Sequence, residues 1–551
     1  MHIHHKDPVA HLLSIEQLSV ALPPGSDRAH AIKNLSLELG SGEILCIVGE
    51  SGSGKSISAN AIMGLLPDYL KPETGRIVFK GRDLLQLSED ELLKIRGKDI
   101  SMVFQEPMSA LNPLMRVGEQ ISEVLSVHGT YPGAARAARV LELLEFVGLP
   151  DPLTIKDAYP FRLSGGQRQR VMIAMALALE PSILIADEPT TALDVTTQAQ
   201  ILALIKRIQA DIGMGVMFIT HDFGVVADIA DRVAVMEKGI LVEQGPVEQV
   251  LNRPQHPYTQ RLIAAVPHRK EGLTATDTEP AILEVRNLRK TYVTARGFFV
   301  KKRVVNAVDD VSFSVRRGET LGIVGESGSG KSTIGKCLLR LIEIDGGQLI
   351  FQGQDIAQLT PAQFRPMRQH LQMIFQDPFA SLNPRHTVGR SIIDGPLANG
   401  VSHADAERKA RELLRLVELD ESAFDRYPNA FSGGQRQRIG IARALALEPQ
   451  LLVADESVSA LDVSVQAQVL TLLQDIQKRL NLAVIFITHD LRVAAQVCHQ
   501  IVVMHKGRIV EHGTPAEVFD QPRDSYTKNL IAAIPGQHWS PIASSAAPAH
   551  S

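Results

Sequence analysis

The chain lacks most of what would tie it directly to a membrane or to the outside of a cell. Its longest unbroken apolar run, Val171–Leu179, is nine residues, where a membrane-spanning helix needs roughly 18 or more. The opening MHIHHKDPVAHLL has no apolar stretch of the kind a secretory leader carries. These absences place the chain on the cytosolic side, with any membrane connection made through a partner. Cysteine is nearly missing: Cys46, Cys337 and Cys498 are scattered over 551 residues at no metal-binding spacing. That excludes a disulfide framework and a cysteine metal site, and leaves buried, reduced thiols. His2, His4 and His5 read as a solvated tail. Charge of one sign is lacking too, and a net charge of −4 gives no overall attraction to nucleic acid or anionic lipid.

What the chain does have is length and repetition. A length of 551 residues exceeds one hydrophobic core, and 44% hydrophobic with 21% charged residues is ordinary globular composition. GESGSGKS occurs at Gly49–Ser56 and Gly325–Ser332, and SGGQRQR at Ser164–Arg170 and Ser432–Arg438. ADE, ALDV, FITHD and LIAAVP/LIAAIP recur in the same order. From Ser164 onward the copies stay 268 residues apart, whereas the two GESGSGKS loops are 276 apart. The elements from SGGQ onward therefore form one fixed unit in each half, and short insertions separate the halves before it. Two lobes follow, joined by the polar stretch HRKEGLTATDTEPA, which has the composition of an exposed linker. The closing SPIASSAAPAHS reads as disordered.

Within each lobe, apolar runs end in polar residues. ILCIVGESGSGKS is a buried strand, a glycine loop and a helix start, the pattern that wraps a β-phosphate in backbone N–H groups. The cradle comprises Gly49, Glu50, Ser51, Gly52, Ser53, Gly54, Lys55 and Ser56, and again Gly325, Glu326, Ser327, Gly328, Ser329, Gly330, Lys331 and Ser332. Lys55 and Lys331 suit the β- and γ-phosphates, and Ser56 and Ser332 suit Mg²⁺. SILIADE and LLVADE are strands ending in Asp187–Glu188 and Asp455–Glu456. The aspartates fit the Mg²⁺ shell, and the glutamates, one residue beyond the strand, fit the role of orienting an attacking water. A third strand ends in His221 or His489. Ligands bind beyond the carboxyl ends of strands in an open parallel sheet, so these endings converge on one nucleotide. Gln105 and Gln376 follow a further strand in each lobe and can complete the Mg²⁺ and water shell. LSGGQRQR looks like a capped helix start with two glycines for close approach, a second anion site.

Together the phosphate loop, glutamine loop, SGGQ segment, acidic strand end, ALD loop and histidine resemble the signature set of ATP-binding cassette ATPases, present twice over nearly the whole chain. More narrowly, the chain resembles the fused double-cassette ATPases of bacterial oligopeptide, dipeptide, glutathione and microcin-type peptide importers. That narrower likeness rests on PQHPYTQRLIAAVP (254–267) and DSYTKNLIAAIP (524–535), which resemble the extension following the cassette in that group. The resemblance implies an α/β fold of two tandem P-loop NTPase domains facing head to tail. Each has a parallel-sheet core, a small antiparallel β subdomain and a helical subdomain. The implied division is a tail at 1–11, cassettes at 12–251 and 282–519, extensions at 252–267 and 520–536, a linker at 268–281 and a disordered tail at 537–551.

In such ATPases the SGGQ segment of one cassette covers the nucleotide of the other. Ser164, Gly165, Gly166 and Gln167 are thereby assigned to the site of Lys331, and Ser432, Gly433, Gly434 and Gln435 to that of Lys55; Asp194 and Asp462 lie along the same seam. An aromatic residue that stacks on adenine aligns with Tyr292 in the second lobe but with Leu22 in the first; Thr333 can bond the α-phosphate where Ile57 cannot. The second site is therefore expected to bind nucleotide more tightly, unless His30 or Phe299 fills the gap. The implied partners are two transmembrane permease subunits, a heterodimer, docking near 106–162 and 377–430, and an external solute-binding protein. No nucleic acid, second copy of the chain or iron–sulfur cluster is expected, and the expected location is the cytoplasmic face of the inner membrane. A ribosome-acting double cassette would carry a long charged arm between lobes, and a DNA-repair cassette would carry zinc-binding cysteine pairs. The basic–aromatic ARGFFVKKRVV (295–305) reads as a solvated hairpin.

Overall fold

The computed structural model describes residues 11–129, 131–191, 193–269, 280–294, 303–377, 380–459 and 461–539. Most of the linker, Phe299 and residues 295–302 of the basic–aromatic segment lie outside the described residues. The chain divides into two compact units, one of residues 1–193, 197–266 and 535–551, the other of 194–196 and 267–534.

The first unit is built on a six-stranded sheet. Its spatial order is Ile240–Pro246, Arg232–Glu237, Ile44–Val48, Gly215–Thr220, Ile183–Asp187 and Ile100–Val103. All neighbours run parallel except the hairpin edge Arg232–Glu237/Ile240–Pro246. Strands Ile44–Val48, Ile183–Asp187 and Gly215–Thr220 are buried at every residue, which is why they read as continuous apolar runs and not as alternation. A four-stranded antiparallel sheet, His30–Gly40, His11–Ala21, Pro72–Phe79 and Arg82–Asp83, packs beside it. Its Leu13, Ile15, Leu18 and Ile77 share a core with Leu45, Ile47 and Ile185 of the parallel sheet. Helices Val117–Val127 and Gly133–Phe146 make up the helical part.

The second unit repeats this plan, with the parallel order Leu371–Ile374, Leu451–Asp455, Ala483–Thr488, Thr320–Val324 and Gln500–His505, and Arg508–Gly513 antiparallel at the edge. The parallel strands place every polar ending at one edge of the sheet, where strand order reverses around the phosphate-loop strand. Cys46, Cys337 and Cys498 are all buried and unoxidised, with burial pushing each thiol up from its usual value.

One boundary shifts on physical grounds. The division implied by the resemblance puts 537–539 in the disordered tail, but Trp539 donates its indole N–H to Asn252 at 3.1 Å and its backbone N–H to Gly536 at 2.9 Å. Gly536 in turn donates to Asp228 at 3.0 Å. An indole offers enough apolar area and one polar handle to fix a short turn that a polar tail would leave in water.

Candidate functional site

In both lobes the phosphate loop is closed on its own lysine. Lys55 Nζ donates to the carbonyls of Gly49 and Glu50 at 2.8 and 2.9 Å; Lys331 Nζ donates to Gly325 and Glu326 at 2.7 and 2.8 Å. Burial lowers the Lys331 ammonium from its usual value, against the pull of Glu456 and Asp455. Helices Lys55–Met63 and Lys331–Leu338 begin directly at these lysines, after Gly54 and Gly330 at φ 100° and 106°. A Cβ on Gly54 would meet the Ala31 carbonyl at 2.8 Å, and on Gly330 the Ala307 carbonyl at 2.1 Å, so both backbone angle and space demand glycine. Ser51, Gly52, Ser327 and Gly328 are exposed at the loop tips. The hydroxyls of Ser53 and Ser329 are buried without a hydrogen-bond partner.

Next to the loop stand two carboxylates with opposite electrostatics. Ser56 Oγ donates to Asp187 Oδ1 at 3.0 Å, and Ser332 Oγ to Asp455 Oδ1 at 2.9 Å. Burial raises both aspartates despite those hydrogen bonds. Each following glutamate turns into left-handed backbone, φ 46° at Glu188 and 45° at Glu456, with its N–H donating to Ile219 or Ile487 of the adjacent strand. Glu188 Oε2 faces His221 Nδ1 at 3.3 Å, and Glu456 Oε1 faces His489 Nδ1 at 3.7 Å. Burial works to raise Glu188, but the hydrogen bond and charge of His221, with Lys55 and Thr191, outweigh it and hold the carboxyl at about 2. Burial likewise works to raise Glu456 and is outweighed by His489 and Lys331. His221 is raised because Glu188 overcomes the burial that would lower it. Gln105 Nε2 donates to Glu188 Oε2 at 3.1 Å, and Gln376 Nε2 to Glu456 Oε2 at 2.5 Å. Lysine, serine, aspartate, glutamate, histidine and glutamine thus gather at one sheet edge in each lobe.

The SGGQ segments lie elsewhere in their lobes, each opening a helix: Gly165–Ala176 and Gly433–Leu445. The capping read from LSGGQRQR is present. Ser164 Oγ accepts from Gln167 N at 3.3 Å, and Gln167 Oε1 accepts from Ser164 N at 3.0 Å; Ser432 and Gln435 repeat both distances. The two glycines differ, however. A Cβ on Gly166 would come within 2.4 Å of Thr197 Cγ2, and on Gly434 within 2.2 Å of Val465 Cγ1. On Gly165 or Gly433 it would make ordinary contacts of 3.8 and 3.7 Å. The second glycine is therefore required by the neighbouring helix, and close approach to a ligand is open only at the first. Asp462 caps that neighbouring helix, accepting from Val465 N at 3.1 Å.

The expected difference between lobes has a packing counterpart. Leu22 and Ile57 are partly buried against the first core, whereas Tyr292 is 41% exposed. His30 is held by Glu73 at 3.1 Å. Arg28, which sequence reasoning passed over, donates to the Gly52 carbonyl. Two tyrosines were also missed: the hydroxyl of Tyr258 accepts from Glu50 N, and that of Tyr526 from Glu326 N, each at 3.1 Å. Burial pushes the Tyr526 phenol up to about 12, so it remains protonated. Both tyrosines stand at the common spacing of 268, the one trace that could have found them.

A cation partner for the phosphates fits these residues. Hydroxyl, carboxylate and carboxamide oxygens are hard donors suited to Mg²⁺, which keeps few protein ligands and binds largely through phosphates and water. Among the described residues no group of three or more His, Cys, Asp or Glu forms a metal cage.

The family pattern described as "ABC transporter" matches residues 32–191 and 308–459, and "Oligopeptide/dipeptide transporter, C-terminal region" matches 242–290. The chain is similar to a protein named "Glutathione import ATP-binding protein GsiA" from Shigella dysenteriae serotype 1 (strain Sd197), 47% identical over 96% of this chain and 91% of that one. The protein of the same name from Escherichia coli (strain K12) is 46% identical over the same shares. That from Salmonella choleraesuis (strain SC-B67) is 47% identical over 95% of this chain and 89% of its own.

Proposed function

The chain belongs to the ATP-binding cassette transporter family, and from that premise we propose how its two lobes drive uptake of a small peptide. It is an ATPase, the energy-supplying subunit of a peptide importer. Among the described residues no helix is long and apolar enough to cross a membrane, so the route across belongs to permease partners, with a substrate-binding protein ahead of them. We place the chain on the cytoplasmic face of the inner membrane. Glutathione, the cargo in the relatives' names, is the cargo proposed here. Exposed Leu114 and Phe161 in the helical part support docking of permease segments near 106–162, with 377–430 the matching stretch of the second lobe.

The observation that carries the chemical assignment is the ionised glutamate held between histidine and glutamine, one residue past the aspartate, in both lobes. Lys55 and Lys331, held by their loop carbonyls, bind the β- and γ-phosphates. Ser56 with Asp187, and Ser332 with Asp455, would hold Mg²⁺ beside Gln105 and Gln376; when bound, it neutralises charge on the phosphate oxygens. Glu188 and Glu456 orient the attacking water, and His221 and His489 fix the carboxylates in place. Since both lobes carry the full set, both hydrolyse. Replacing Glu188→Gln with Glu456→Gln is expected to keep ATP bound while turnover stops. Normal turnover in that double variant would remove the glutamates from this role.

A further inference from the structure

In each lobe the segment after the cassette reaches back to the phosphate loop. Tyr258 is 3% exposed in the first turn of helix Pro257–Ala264, and Tyr526 occupies the same place in helix Ser525–Ala532. Their hydroxyls accept from Glu50 N and Glu326 N at 3.1 Å. That N–H belongs to the same peptide group as the Gly49 or Gly325 carbonyl, which accepts from Lys55 at 2.8 Å or Lys331 at 2.7 Å. A peptide group is planar, so the direction of its N–H fixes the direction of its C=O. One edge of the plane is held by the tyrosine and the opposite edge by the lysine that must meet the phosphates.

The tyrosines are themselves anchored. Glu243, on the hairpin strand Ile240–Pro246, accepts from Gln255 N at 2.8 Å and His256 N at 3.1 Å; His256 Nδ1 then accepts from Tyr258 N at 3.2 Å. In the second lobe Glu511 accepts from Arg523 N at 2.7 Å and Asp524 N at 3.2 Å, and Asp524 accepts from Tyr526 N at 2.7 Å. The intervening residues differ between lobes, yet glutamate and tyrosine keep the 268-residue spacing. Packing alone would be met by phenylalanine, so the repeated element is the hydroxyl.

We propose that Tyr258 and Tyr526 are positioning residues for nucleotide binding, through which each C-terminal extension sets the geometry of its phosphate loop. The inference rests on the reading of those loops as ATP sites. The test is calorimetric titration of ATP into the full chain carrying Tyr258→Phe, with the second site silenced by Lys331→Ala in both variant and parent. Losing one neutral hydrogen bond predicts affinity weaker by about three- to tenfold. The nucleotide-free melting temperature should fall by no more than a few degrees, because the ring remains in place and only one hydrogen bond is lost. In a chain with both lysines, Tyr258→Phe with Tyr526→Phe should raise KM for ATP by the same factor while kcat holds within about twofold. Unchanged affinity overturns the proposal. So does a fall in nucleotide-free melting temperature far beyond what one lost hydrogen bond accounts for, or a loss confined to kcat. A parent that binds no ATP would instead sink the ATP-site reading itself. Should Tyr258→Phe fail to fold, Tyr526→Phe against Lys55→Ala asks the same question of the second lobe under the same criteria.

Discussion

Gly166→Ala separates what the two glycines of the SGGQ segment do. The new Cβ would lie 2.4 Å from the Thr197 methyl, far inside the ~3.5–4.0 Å optimum for two carbons. Gly166 lies in the first turn of helix Gly165–Ala176, and Thr197 in that of helix Val195–Ile212. Relief therefore means an off-rotamer threonine or a displaced helix. Overpacking of this kind costs about 1–3 kcal/mol, and alanine's better helix propensity returns at most about 1. The balance is a net loss of up to about 2 kcal/mol, which lowers the melting of a domain of this size by up to about 8 °C. Thr197→Ser removes the offending methyl and leaves a hydroxyl 3.6 Å from the built Cβ, so the double variant should recover most of the loss. Gly165→Ala, facing only Leu193 at 3.8 Å, should melt like wild type. Scanning calorimetry of the full chain, paired with ATPase turnover, reads both effects. Turnover lost in Gly165→Ala at full stability would assign the first glycine to the nucleotide. Equal destabilisation by the two substitutions, or no rescue by Thr197→Ser, refutes the packing argument.

Three further outcomes are expected. The Lys331 site should bind ATP more tightly than the Lys55 site: stacking on an aromatic contributes about 1–3 kcal/mol, and leucine recovers part of it, so a difference of about fivefold is expected. Titration of Lys55→Ala and Lys331→Ala chains checks this; equal affinities, or no effect of Tyr292→Ala, would refute it. Glu188, lowered from 4.5 to about 2, contributes stability above pH 4.5 that fades as pH falls toward 2, while His221, raised from 6.5, contributes below pH 6.5 and fades as pH rises through its folded value. The melting-temperature gap between wild type and His221→Gln should therefore peak between those limits, and a gap that grows with alkaline pH contradicts the pairing. Crosslinks from the permease subunits should fall within 106–162 and 377–430, and crosslinks confined to 252–267 and 520–536 would overturn the docking assignment.

Much of the site was legible because its residues end strands, and a buried parallel strand announces itself as an apolar run closed by a polar residue. SILIADE and VMFITHD show where Asp187, Glu188 and His221 fall, and the second copy removes chance. Contacts with no local pattern were illegible. Nothing in HPYTQRL says that Tyr258 lies against a loop 208 residues earlier; that pairing is made by the hairpin that carries Glu243. Nor does GG reveal which glycine faces a neighbouring helix, since Thr197 meets Gly166 only after both helices are packed. Trp539 was set in the tail beyond the second extension, although one indole outweighs several serines once it finds a surface.

The lysine held by its own loop has a consequence for recognition. Lys55 donates to the carbonyls of Gly49 and Glu50 and Lys331 to those of Gly325 and Glu326, so backbone, and not the rotamers of a long flexible stem, sets where each ammonium stands. A lysine side chain carries about 2 kcal/mol of rotamer entropy, and the loop removes that freedom as part of the fold. The phosphates therefore meet a charge already fixed in place, which is what preorganisation contributes to affinity.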